Sequence, residues 1–351
     1  MKSHTTRTAL LALAACLAAT SCDDPKREEQ LRWREEEVQA KLNAMTQREA
    51  EFAKEKHQIT EALRQMDARE KAVADKEKTL LTQLAEETEK LKKVRREIEI
   101  KNLRGPVPLI SADRSIVIDP ASDDILFEKN AEKRGAIAST TKIMTGLLVV
   151  EAGNLDQIVT VEKSDTQCAP VRLGLKEGET YTRHQLLSAV LVKSSNDIAQ
   201  ALARDNAGSV AAFVEKMNEK AKELGLQNTH FVNPHGLPGL TDDQPYSTAR
   251  DLAVIAKWAD KMPEIRAIVK LQSYKFKKPD GKFIDLANTN RVLRTASYCD
   301  GMKTGYTDAA GYCLVATGER NGRRRIVVIL NDTESGVWKD AQALLDWALK
   351  A

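Results

Sequence analysis

The chain has 351 residues, 42% of them apolar and 30% charged, and a formal net charge of +3. That length is enough for one or two domains with a full hydrophobic core. The near-balanced charge leaves no electrostatic footprint for nucleic acid or for an anionic membrane surface.

Taken in chain order, the first feature is an export signal over residues 1–22. Lys2 and Arg7 precede the apolar run TALLALAACLAAT, which is too short to span a bilayer. Small residues then lead into Cys22 in AATSCDD, a pattern that resembles a bacterial lipobox, in which the cysteine carries lipid. Cys16 in LAAC is a second candidate after a shorter apolar run. An ordinary signal peptide or an uncleaved anchor is the remaining reading. All of these export the chain.

Residues 26–101 contain no Pro and no Gly, with 19 basic and 18 acidic side chains. Apolar residues recur every seven: Leu31, Val38, Met45, Phe52, Ile59, Met66, Val73, Leu80 and, after Glu87, Val94. The companion seam four residues on is half polar, with Glu35, Glu49, Lys56, Glu70 and Glu77 among its members. A sustained period of seven predicts a left-handed coiled coil, weakened by that second seam. The alternative is a single solvated helix held by charge pairs one turn apart. Either is a rod of roughly 110 Å at about 1.5 Å per residue. Gly105 and Pro106 in NLRGPVP end it, which makes 102–108 a linker.

From residue 109 to 351 the texture is globular. SIVIDPASDDILFEKN reads as strand, turn, strand, and STTKIMTGLLVVEAG as a helix closed by Gly153. Helical periodicity continues in HQLLSAVLVKSS, NDIAQALARDNAG, VAAFVEKMNEKAKELG and TARDLAVIAKWADKM. Strand-like runs follow in SYKFKKPDGKFIDL and in YCLVATGERNGRRRIVVIL, the latter a hairpin turning at Glu319–Arg324. VWKDAQALLDWALK is a closing amphipathic helix. Strands at both ends with helices between predict an α+β domain, an antiparallel sheet flanked by helices plus a helical part. Arg323, Arg324 and Arg325 read as a solvated turn, and NPHGLPG as a structural loop.

The three cysteines of this region, Cys168, Cys299 and Cys313, are an odd number, so a complete disulfide framework is excluded. They read as buried small apolar side chains, with one bridge and one free thiol as the alternative. His230 and His235 lie five apart with no third ligand, so no metal site and no cofactor is expected.

Three short motifs carry the chemistry. Ser139 and Lys142 in AIASTTKIMT are three apart, on one helix face at the helix N-terminal end. A lysine beside a core stripe loses pKa to burial and can accept a proton, and a serine needs such a base to become a nucleophile. Ser194, Ser195 and Asn196 form an S-x-N between two helical runs. Lys303, Thr304 and Gly305, followed by Tyr306, form a K-T-G in a strand-like run. Each alone is a weak signal. All three in this order are a strong one.

On these motifs, with NPHGLPG, YSTARDLA and GMKTGYTDAAGYCLVAT, the chain resembles the low-molecular-mass penicillin-binding proteins, the serine-type D-alanyl-D-alanine carboxypeptidases. The resemblance runs from about residue 107 to the end and implies a β-lactamase/transpeptidase-like catalytic domain. It implies that Ser139 attacks the bond between the terminal D-alanines of a peptidoglycan stem peptide, with Lys142 as base. Backbone N–H groups of Ser139 and Tyr306 would hold the oxyanion. Ser194 would relay a proton to the leaving amine, and Asn196 would position Lys142 and the substrate amide. Lys303 and Thr304 would bind the substrate carboxylate, and Gly305 would let substrate backbone lie against the strand. β-Lactam antibiotics would be acylating inhibitors. The implied location is the cell envelope, membrane-anchored through the N-terminal lipid and facing the periplasm, with a homodimer through the coiled coil as a further expectation and no nucleic-acid partner. Ser195 stands where many relatives have Gly. A D,D-endopeptidase acting on cross-links with the same site, and a tethered peptidoglycan binder without turnover, remain as alternatives. A class A β-lactamase would carry S-D-N in the middle motif and a Glu-x-x-x-Asn loop between Asn196 and Lys303. Neither is present.

Overall fold

The computed structural model describes residues 25–239 and 241–350. Cys16, Cys22 and the rest of the export signal lie outside them. The chain divides into two compact units, one ending at Lys93 and the other beginning at Val94.

The first unit is formed by helix α1, which runs Pro25–Arg104 without a break and whose last turns belong to the second unit. Pro25 opens it where a missing N–H costs nothing, and Glu28 sits in the first turn, facing the positive end of the helix dipole. Charge pairs one turn apart line its surface, as in Lys41–Glu37 at 2.6 Å and Lys92–Glu89 at 2.7 Å. In the heptad seam Leu31 is half-buried, and Val38, Met45, Phe52, Ile59, Met66, Val73, Leu80 and Val94 are exposed.

In the second unit a five-stranded antiparallel sheet is built from β1 (Arg114–Ile118), β2 (Ile125–Lys129), β7 (Cys299–Thr307), β8 (Gly311–Arg320) and β9 (Arg323–Asp332), in the order β2-β1-β9-β8-β7. Its two faces feed two cores. Ile116, Val315 and Val328 join a larger cluster with the helices, while Val117, Leu314, Val327 and Ile329 join a smaller one under the last helix. Alternate residues point to opposite faces of a strand, so burial of both faces explains why the central strand reads as the unbroken apolar run IVVIL. Two small antiparallel pairs, β3 (Ile158–Thr160) with β4 (Thr180–Thr182) and β5 (Ser273–Lys277) with β6 (Phe283–Ala287), complete the strands of the described residues.

Helices cover both sheet faces. The larger core is closed by α2 (Lys142–Glu151), α4 (Arg183–Lys193), α5 (Asn196–Ala207), α6 (Val210–Glu223), α7 (Ala249–Asp260) and α8 (Pro263–Val269), while the short α3 (Lys163–Thr166) is tied to α5 by the Asp165–Arg204 pair. The short α9 (Val292–Thr295) and α10 (Gly336–Ala348) pack on the opposite face. Gly153 takes φ +70 just past α2, as its predicted closing role requires. The expected α+β arrangement is therefore the observed one.

Two expectations are corrected here. Arg323–Arg325 is not a solvated turn. Arg325 is buried and pairs with Asp119 at 2.7 Å, and Arg324 is held by Asp260 and Asp300. Those carboxylates come from distant parts of the chain and supply the partners that buried guanidinium groups need. Cys299 and Cys313 are buried as expected, but Cys168 is only half-buried, and all three thiols are free. Burial pushes the Cys299 and Cys313 thiols up to about 11, leaving them inert as nucleophiles.

Candidate active site

Ser139 lies in a 3-10 turn, Ala138–Thr141, that runs directly into α2 at Lys142. The turn is strained at Ala138, which has φ 48. It is held from the side by the NPHG loop, where Gly236 has φ +81 and a methyl group would lie 1.9 Å from Ala138 O. Only glycine fits that contact. The loop is thus more than the structural element read from the sequence. Its His235 carbonyl accepts from Lys142 Nζ at 3.1 Å, and Thr145 Oγ1 in α2 donates to Pro234 O at 2.6 Å.

Lys142 is fully buried, and its Nζ has three neighbours: Ser139 Oγ at 2.8 Å, Asn196 Oδ1 at 2.7 Å and His235 O at 3.1 Å. Two of these oxygens can only accept, whereas the serine hydroxyl can also donate. Lys142 Nζ donates to all three as an ammonium; as a neutral amine it keeps N–H bonds to Asn196 Oδ1 and His235 O and can accept from the Ser139 hydroxyl on its lone pair. Burial lowers the Lys142 pKa well below the usual lysine value, and the positive charge of Lys303 lowers it further. The orientation of Asn196 is settled by its other end. Its Nδ2 donates to Ala169 O at 3.1 Å and Pro170 O at 2.9 Å, which leaves Oδ1 for the lysine.

Ser194 closes α4 in the left-handed conformation with φ 70, and Asn196 opens α5. This tight reversal delivers both residues of the S-x-N motif to one place. Between them, Ser195 is buried, and its hydroxyl has no hydrogen-bond partner among the described residues. Lys303 on β7 is also buried, and its Nζ donates to Ser194 Oγ at 2.8 Å and Thr304 O at 3.0 Å. Burial pushes its pKa down to about 7. The site therefore holds two serine–lysine pairs, Ser139–Lys142 and Ser194–Lys303, close enough for one lysine to act on the other's charge state.

β7 is an edge strand of the sheet. At Gly305 a methyl group would lie 2.9 Å from Ser139 N and 3.0 Å from Ile137 O. Glycine is needed there because the strand packs against the serine-bearing turn, a tighter reason than the substrate approach read from the sequence. Thr304 Oγ1 donates to Thr289 Oγ1 at 2.6 Å, so Thr289 joins the site without any motif to announce it. Tyr306 is 51% exposed and packs against Tyr312 with ring centroids 4.4 Å apart and ring planes tilted by 40°. The His235 ring takes no part. Burial, with Lys142 nearby, pushes it down to about 3, so it stays neutral. Among the described residues no group of three or more His, Cys, Asp and Glu side chains is placed to hold a metal ion, and no helix is long and apolar enough to cross a membrane.

Fold and site together define a catalytic domain of the β-lactamase/transpeptidase class. The chain belongs to the peptidase S11 family, described as D-alanyl-D-alanine carboxypeptidase, whose family model matches residues 101–334. It is 39% identical over 224 residues to D-alanyl-D-alanine carboxypeptidase DacF of Bacillus subtilis (62% of this chain, 57% of that one). It is 38% identical over 259 residues to D-alanyl-D-alanine carboxypeptidase DacC of Escherichia coli (69% of this chain, 62% of that one). It thus spans less than two thirds of the length of these two relatives. The crystal structure of the Streptomyces K15 DD-transpeptidase superposes with a TM-score of 0.65 at 32% identity, covering 69% of this chain and 98% of that one.

Proposed function

We propose that the protein is a serine D-Ala-D-Ala carboxypeptidase that removes the terminal D-alanine from peptidoglycan stem peptides through an acyl-enzyme and is acylated by β-lactams. The observation that carries this reading is the Lys142 amine. It is buried, depressed in pKa and 2.8 Å from Ser139 Oγ, with its two other partners able only to accept. Ser139 gives its proton to Lys142 while Oγ bonds to the carbonyl carbon between the two D-alanines. Backbone N–H groups of Ser139 and Tyr306 receive the oxyanion. The C–N bond then breaks, and Ser194 passes a proton from Lys142 or Lys303 to the departing D-alanine amine. Water hydrolyses the ester and frees Ser139.

Lys303 gives this scheme an order of events. Burial pushes its pKa down to about 7, so its charge responds to what arrives beside it. A substrate carboxylate arriving beside it favours its protonated form, and that added charge drives Lys142 further towards the neutral base. Thr304 would turn its hydroxyl from Thr289 to the same carboxylate.

The rest of the chain fits delivery to the cell envelope. Residues 1–22 would export the protein and anchor it by lipid on Cys22, residues 26–101 would tether the 109–351 domain to that anchor, and the exposed heptad seam would pair with a second copy. Sedimentation of the mature chain and of a truncation lacking 26–101 tests the pairing, which equal monomeric states would refute. For the activity, diacetyl-Lys-D-Ala-D-Ala is incubated with the wild type and with Ser139→Ala. Free D-alanine from the wild type alone supports the carboxypeptidase. Ser139-dependent penicillin labelling without D-alanine release points to the endopeptidase, with cross-linked muropeptides as its substrate.

A further inference from the structure

The middle motif is followed at once by Asp197, a carboxylate that the proposed chemistry does not use. It is 1% exposed. Its Oδ1 accepts from Leu173 N and Ile198 N, both at 3.0 Å, and its Oδ2 from Gly174 N at 2.8 Å and Leu175 N at 3.2 Å. Four backbone N–H groups thus converge on one buried carboxylate, and three of them come from a single loop. The first half of that loop is tied to the neighbouring residue, since Ala169 O and Pro170 O accept the Asn196 amide and Val171 O accepts Asn196 N at 2.7 Å. The segment 169–175 is therefore held at one end by Asn196 and at the other by Asp197.

We propose that Asp197 is a positioning residue for the lysine base: by clamping the 173–175 backbone it fixes the carbonyls that hold the Asn196 amide, and through them the Asn196 Oδ1 that faces Lys142. This rests on the reading of Ser139 and Lys142 given above. The physical basis is donor counting. If the loop loosens, Asn196 Nδ2 is left buried without its two acceptors, and the amide turns to find others. Lys142 then loses the acceptor at 2.7 Å. An asparagine at 197 cannot replace the carboxylate, because its NH2 group would face N–H donors where Oδ1 or Oδ2 now accepts. The charged or titratable groups facing Lys142 are Lys303 on β7, Cys168 at the root of the same loop, Asp197 itself and the neutral ring of His235. Of these, Asp197 is a negative charge that favours the protonated lysine. Its removal and the loss of the Asn196 acceptor both move Lys142 towards the neutral form.

The test is the rate of acylation by benzylpenicillin across pH for the wild type, Asp197→Asn, Asn196→Ala and the double variant. The expected result is a fall of about 100-fold in Asp197→Asn, the size of a misplaced catalytic group. Its acid limb should move to lower pH, and the effect should shrink below about threefold in the Asn196→Ala background. A purely structural aspartate would lower the rate equally in both backgrounds, whatever the lost charge does to the limb; that result overturns the proposal, as does a wild-type rate in Asp197→Asn. Should Asp197→Asn fail to fold, amide exchange in the wild type decides. Leu173, Gly174, Leu175 and Asn196 should be protected and open together, and free exchange of the three loop amides overturns the clamp. Absence of Ser139-dependent labelling in the wild type is a different outcome, which removes the site reading and this inference with it.

Discussion

Replacing Lys303 by methionine should flatten the pH dependence of stability. The buried ammonium has its pKa pushed from the ordinary 10.5 down to about 7. Between those values the unfolded chain holds the proton and the folded chain has released it. The unfolded state therefore binds more protons, and stability rises with pH. Stability is lost as pH falls from near 10.5 towards 7 and changes no further below that. Each fully differential proton gives about 1.4 kcal/mol per pH unit, so between pH 7 and 8.5 Lys303 alone contributes a rise of about 1.5 kcal/mol. Lys303→Met keeps the length and apolar stem but has no proton to lose, so its stability should climb less by that amount. The window stops short of pH 9, where the Cys299 and Cys313 thiols begin to ionise in the unfolded chain only and oppose the rise. Urea unfolding at a series of pH values reads the difference, through the fluorescence of Trp258, Trp338 and Trp347. Equal slopes for the two proteins would mean that Lys303 stays charged in the folded site and that burial does not depress it.

Ser195→Ala removes a buried hydroxyl without a partner, so thermal melting should show a gain of about 1 kcal/mol while the acylation rate is kept. Gly305→Ala places a methyl group 2.9 Å from Ser139 N; the fold should survive, but acylation by a labelled penicillin should slow by about 100-fold as the turn is pushed from the strand. Arg324→Met leaves the buried Asp260 unpaired and should cost about 3–5 kcal/mol in urea unfolding, where a solvated arginine would cost almost nothing.

The parts of the fold and site that were legible are those with local signals. Period-2 and period-3.6 patterns marked most strands and helices, and the Ser139–Lys142 spacing placed both groups on one turn. The three motifs announced residues that the structure brings together from far apart in the chain. What escaped is what depends on distant partners. The His235 carbonyl reaches a lysine 93 residues away, and no residue type marks a backbone acceptor. Asp197 carried no signal in the sequence, because its donors are main-chain N–H groups of a loop. Arg325 looked solvated because Asp119 lies 206 positions earlier. The pairing of β1 with β9 joins the first part of the domain to its last, which no local period encodes. Gly305 was singled out for the approach of substrate, while its packing against the serine-bearing turn carried no local signal.

The most direct measurement is to locate the penicillin adduct. The full chain is treated with benzylpenicillin, digested and mapped by mass spectrometry, beside Ser139→Ala and Lys142→Ala. The account predicts a penicilloyl group on the peptide containing Ser139, absent from Ser139→Ala and formed far more slowly in Lys142→Ala. An adduct on Ser194 instead, or one on Ser139 that forms at the same rate without Lys142, would contradict the assignment of the buried lysine as the base.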